Sequence, residues 1–148
     1  MPVTEMEQVL SDAAAEVLET MFFTSLAEEG EPVPPITGPL VCPNLSFRGP
    51  CSGRLGLRIP LETGRQIAAN FLGLEGSEVT QSQLQDVLCE LSNMICGSVL
   101  SRLESGSIFE LLHPEIGPGE TAGSPAVSRT LALEDGVLEV WFQWEAAP

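Results

Sequence analysis

Between Glu5 and Ala27, apolar residues return at Met6, Val9, Leu10, Ala13, Val17, Met21 and Leu26, close to helical spacing, and Gly30 follows. This pattern predicts a long amphipathic helix. The next stretch carries Pro32, Pro34, Pro35, Gly38, Pro39 and Pro43. Proline fixes φ and lacks an amide donor, so this segment reads as a connector leading into an edge strand.

From Asn44 to Leu61 the period changes to two. Leu45, Phe47, Leu55, Leu57, Ile59 and Leu61 alternate with Ser46, Arg48, Arg54, Gly56, Arg58 and Pro60, interrupted by Gly49-Pro50-Cys51-Ser52-Gly53. A β-hairpin of two half-buried strands is expected. A shorter helix should run from Glu62 to Leu72 and stop at Gly73. Thr80 to Leu103 carries the strongest helical signal, with Thr80 and Gln83 as a capping box and Leu84, Val87, Leu88, Leu91, Ile95, Val99 and Leu103 in register.

Three strands should follow, at Ser107 to Leu112, Val127 to Leu133 and Val137 to Trp144, the last two joined by the tight turn Glu134-Asp135-Gly136. Between them, Gly117 to Ser124 reads as a polar, glycine-rich, mobile loop. The order α, ββ, α, α, βββ lacks strict βαβ alternation. The expected class is therefore α+β, long helices packed on a mostly antiparallel sheet.

The strongest helix carries a second stripe. Each helical residue advances about 100°, which places Glu90 about 40°, Asn93 about −20° and Gly97 about 20° from Asp86. The apolar residues spread over the opposite side. Solubility alone would explain Asp86 and Glu90, but Asn and Gly are poor helix-interior residues, and Gly costs about 1 kcal/mol relative to Ala. Gly97 leaves room for another molecule to approach the backbone.

Charge narrows the partners. The chain has 148 residues, 6 Lys+Arg (all Arg) and 21 Asp+Glu, giving a formal net charge of −15. Phosphate backbones and anionic bilayers require clustered cations, so no nucleic acid and no membrane partner is expected. The length fits one domain over residues 1–148. With 43% hydrophobic residues the chain should fold, and without a basic leader or a spanning apolar run it reads as soluble and cytoplasmic.

Cys42, Cys51, Cys89 and Cys96 form no C-x-x-C pair, and His113 is the only histidine. They read as reduced thiols serving as small apolar residues, with no metal site. The phosphate-loop, zinc-protease and nucleophile-elbow motifs do not occur.

The run Asp86-Val-Leu-Cys-Glu90-Leu-Ser-Asn93-Met-Ile-Cys-Gly97 resembles the [DS]-x-x-x-E-x-x-N helix of the CheC/CheX/FliY chemotaxis phosphatases, and the CheX-like branch most of all. The resemblance extends along the chain through the N-terminal helix, Ser46-Phe47-Arg48-Gly49 entering Gly53-Arg54-Leu55-Gly56-Leu57, and a strand ending in Pro114. Family members typically place that proline slightly farther from the Asn. Asp12, Glu16 and Glu19 repeat the spacing on the first helix, as the family's pseudo-twofold build would have it, with Glu19 where Asn is required. One active site per chain is expected.

The resemblance implies a phosphorylated CheY-like receiver domain as substrate, its aspartyl phosphate hydrolysed, with Mg²⁺ supplied by the receiver and no cofactor bound by this chain. Asn93 would position the attacking water, since a neutral carboxamide can accept from water without repelling phosphate. Glu90 would engage the receiver lysine. Asp86 and Gly97 would serve partner binding. The alternative is a noncatalytic receiver-binding adaptor or dimerisation module in a two-component or flagellar-switch pathway. The resemblance also implies a homodimer, and the final strand adds a hint: Leu138, Val140, Phe142 and Trp144 fill one face while Val137 and Trp141 occupy the other.

Overall fold

The computed structural model describes residues 3–118 and 127–144. Helix α1 (Val3–Met21) is followed by strands β1 (Leu40–Val41), β2 (Pro43–Arg48) and β3 (Gly53–Pro60). Helix α2 (Leu61–Leu72), a 3₁₀ turn at Gly76–Glu78 and helix α3 (Gln81–Leu103) come next. Strands β4 (Glu110–Leu111), β5 (Glu115–Ile116), β6 (Val127–Leu133) and β7 (Gly136–Trp144) complete the order.

All strand pairings are antiparallel, in the order β4-β2-β3-β7-β6, with β1 added beside β3 and β5 beside β2. The class is α+β, as expected. Period-two alternation sends Leu45, Phe47, Leu55, Leu57, Ile59, Leu138, Val140 and Phe142 to one face of the sheet. There they form one core with Leu10, Val17 and Leu18 of α1 and Leu84, Leu88, Leu91, Ile95 and Val99 of α3. Helix α2 closes against α3 at Gly64, where a Cβ would lie 2.9 Å from Leu88 Cδ1. It ends on Gly73, whose left-handed φ of 70° closes the last turn.

The first helix is shorter than its periodicity predicts. It stops at Met21, and Phe23 takes a left-handed φ of 52°. The Thr24 N–H donates to the Leu18 carbonyl at 2.9 Å, while Phe22 stacks on Phe71 of α2 at 4.6 Å. Residues 25–27 then run beside β6: Leu26 bridges Leu133 and the Ala27 N–H donates to Ala132 at 3.0 Å. Leu26 thus joined the helical count by coincidence of spacing, because sheet pairing captured its backbone instead.

The strand expected at Ser107 to Leu112 is reduced to β4, and β5 at Glu115–Ile116 was not foreseen. Both are held by β2, β4 beside its Phe47-Arg48 end and β5 beside its Pro43-Asn44 start. Two-residue strands lack the alternation that makes strands readable. The β2–β3 hairpin forms as predicted, but more of it is buried than the half expected, including Asn44 and Gly56. Of the glycine-rich loop, residues 119–124 lie outside the described residues.

The second apolar face of β7 is covered within the chain. Val137 is 4% exposed and its N–H donates to Thr63 Oγ1 of α2 at 3.4 Å. Trp141 is 7% exposed and lies over Gly56 of β3. On the other face, Trp144 is 42% exposed at the strand end. The cover over Val137 and Trp141 accounts for the surplus apolar surface without a second copy, so the final strand no longer argues for a homodimer.

Candidate functional site

Helix α3 owes its register to its first turn. Gln83 N–H donates to Thr80 Oγ1 at 3.1 Å, and Thr80 N–H donates to Gln83 Oε1 at 2.9 Å. Two otherwise unsatisfied amides are thereby capped. Behind the helix, Leu84, Leu88, Leu91, Ile95 and Val99 have no exposed surface. The orientation of the opposite face is fixed by this burial.

On that face Asp86 and Glu90 are exposed, and Asn93 and Gly97 are half-buried. The structure therefore brings together the four residues that the helical wheel grouped. Among the described residues, none of the side chains of Asp86, Glu90 and Asn93 is engaged in a hydrogen bond or ion pair. Gly97 forms a notch: a Cβ built there would meet nothing within 4 Å. Internal packing does not call for glycine at this position.

The face is electrostatically negative. Burial pushes the Cys89 thiol above its ordinary range, and the nearby charges of Asp86 and then Glu115 push it the same way. Glu115 is exposed on β5 and borders the stripe from another element. Sequence reasoning missed it, because only the pairing of Glu115 with Asn44 carries it there. No local pattern marks that pairing.

The repeat on α1 is also solvent-facing, with Asp12, Glu16 and Glu19 exposed. Its side chains are differently occupied. Gln8 Nε2 donates to Asp12 Oδ1 at 2.7 Å, and Arg102 from the last turn of α3 donates through Nη2 to Glu16 Oε2. The acid that corresponds in spacing to Glu90 is therefore ion-paired to the neighbouring helix.

The four cysteines are free thiols, Cys42 and Cys96 buried and Cys51 and Cys89 half-buried. Among the described residues no group of three or more His, Cys, Asp or Glu is placed to hold a metal ion. No helix among them is long and apolar enough to cross a membrane.

An exposed acid one turn before a half-buried, outward-facing carboxamide, on a rigid helix with a glycine notch, suits a surface that docks on another macromolecule and orients a small polar species there. Asp86, Glu90, Asn93 and Gly97 include no hydroxyl or thiol.

Comparison with known proteins gives concordant results. A family model described as the chemotaxis phosphatase CheX matches residues 41–126. Among solved structures, the CheX–CheY–BeF3–Mg²⁺ complex from Borrelia burgdorferi aligns with a TM-score of 0.68 and 24% identity, covering 93% of this chain and 96% of that one. CheX from Vibrio vulnificus aligns with a TM-score of 0.74 and 23% identity, covering 98% and 99%. FliY from Thermotoga maritima aligns at 0.61 with 14% identity, covering 94% and 88%. These structural likenesses establish a shared fold. A search of curated protein sequences gives no match.

Proposed function

Because the chain belongs to the CheX family of chemotaxis phosphatases, we propose that it hydrolyses the aspartyl phosphate of a CheY-type receiver domain, using the outward face of α3. The observation that carries this is the pair Glu90 and Asn93, presented outward with no side-chain partner among the described residues, on a helix anchored behind them.

The reaction asks little covalent chemistry of this chain. A water oxygen attacks phosphorus, the bond from phosphorus to the receiver's carboxylate oxygen breaks, and inorganic phosphate leaves with the receiver Asp regenerated as carboxylate. An acyl phosphate is already reactive, so the remaining task is to hold the water in line. Asn93 accepts a hydrogen bond from that water and donates toward the phosphoryl oxygens. A carboxylate there would be repelled by the phosphate, which argues against Glu19 and for one active site per chain.

Glu90 engages the receiver lysine that would otherwise pair with the phosphate. An exposed ion pair of this kind contributes only about 0.2–1 kcal/mol, so its value lies in orientation. Asp86 and Gly97 belong to the docking surface, where the glycine notch admits the partner's backbone or side chain. Mg²⁺ arrives with the receiver as part of the substrate.

The proposed unit is the whole chain, residues 1–148, acting in the cytoplasm and assembling as a homodimer. Light scattering on the purified chain tests the assembly. The activity is tested by following phosphate loss from a phosphorylated receiver, where the parent should accelerate it and Asn93→Ala should not. Complex formation with no acceleration by the parent would instead identify an adaptor.

A further inference from the structure

On the inner side of α3, one hydroxyl reaches the backbone carbonyl immediately before Glu90, the first of the two proposed catalytic residues. Ser92 is 0% exposed, and its Oγ donates to the Cys89 carbonyl at 2.7 Å. In an α-helix the carbonyl of residue i−4 accepts the N–H of residue i, so the same Cys89 oxygen is the helical acceptor for the Asn93 amide. That carbonyl also belongs to the planar peptide unit whose nitrogen is that of Glu90. One oxygen thus ties together the peptide leading into Glu90, the amide of Asn93 and the hydroxyl of Ser92.

Packing does not ask for a hydroxyl here. The neighbouring inward positions, Leu88, Leu91, Ile95 and Cys96, are buried and apolar. Alanine is a better helix former than serine and would bury no polar group. A back-bonded serine draws on a carbonyl of the preceding turn and often bends the helix slightly. At this position the bond falls within the turn that sets the separation of Glu90 from Asn93.

We infer that Ser92 is a positioning residue, whose buried hydroxyl fixes the Cys89 carbonyl and through it the mutual orientation of Glu90 and Asn93. The inference rests on the phosphatase function proposed above. Ser92 touches no substrate. Its effect should therefore appear in the chemical step and not in receiver binding.

The test is steady-state kinetics of the full chain bearing Ser92→Ala, with a phosphorylated receiver as substrate and Asn93→Ala measured in parallel. Ser92→Ala should lower kcat by about 3- to 10-fold, the scale of one lost neutral hydrogen bond, with KM within about 2-fold of the parent. Its melting temperature should be unchanged or raised. In ¹⁵N relaxation spectra, the order parameter of the Asn93 side-chain amide should fall.

A parental kcat in Ser92→Ala beside an inactive Asn93→Ala would overturn the positioning role alone. So would a loss of kcat that tracks a lower melting temperature, or an unchanged Asn93 order parameter. If Asn93→Ala itself retained parental kcat, the role given to Asn93 would be the one to fail, and a parent that does not accelerate dephosphorylation would overturn the phosphatase reading.

Discussion

Trp141 lies flat across Gly56, its cross-strand partner in the β3–β7 pairing, so closely that a Cβ on Gly56 would sit 2.3 Å from the indole Cζ2. The glycine is a recess for the ring. Gly56→Ala should therefore force the indole or the strand to move and destabilise the fold by about 1–3 kcal/mol, the usual range for overpacking. Denaturant unfolding followed by tryptophan fluorescence measures this. A stability equal to the parent would mean that the ring relocates without cost.

Gly97 predicts the opposite sign. Nothing opposes a Cβ there, so Gly97→Ala should raise stability by about 1 kcal/mol through helix propensity alone. Gly97→Trp should keep the fold and weaken receiver binding by obstructing the notch. Thermal melts and titration calorimetry separate the two effects, and unimpaired binding by Gly97→Trp would remove this position from the docking surface.

Asn93→Ala should lower the rate of receiver dephosphorylation by about 10²-fold, the scale expected when a nucleophile loses its alignment. Folding should be unaffected, since the side chain has no internal partner among the described residues. Circular dichroism checks the fold, and phosphate release checks the rate.

The α3 cap gives a local stability prediction. Thr80→Ala removes the acceptor for the Gln83 amide and should cost about 1 kcal/mol. Hydrogen exchange at the first-turn amides of α3 should rise accordingly. Protection equal to the parent would show that the turn is held by packing instead.

Burial pushes the Cys96 thiol from its ordinary value of 9.0 up to about 12. The folded value lies above the unfolded one, so the stabilisation is complete below about pH 9 and is lost as pH rises toward about 12. Between those limits the unfolded chain releases the proton first. Denaturation series from pH 8 to pH 11 should fall more steeply for the parent than for Cys96→Ala, and parallel curves would contradict the assignment.

Helix periodicity by itself determined the face of α3. Asp86, Glu90, Asn93 and Gly97 share it because residues three, four and seven apart align on any α-helix, whatever the helix packs against. The capping box at Thr80, the stop at Gly73 and the β6–β7 turn were likewise readable, since each is a contact among residues close in sequence. Tertiary structure alone decided the rest. Phe22 stacking on Phe71 accompanies the end of α1, pairing with β2 brings Glu115 beside the stripe, and Arg102 reaches Glu16 across 86 residues of chain. Gly56 likewise receives an indole from another strand, which covers the face that had suggested a second copy. Such contacts depend on where distant segments meet in space, and a chain's local pattern carries no record of that.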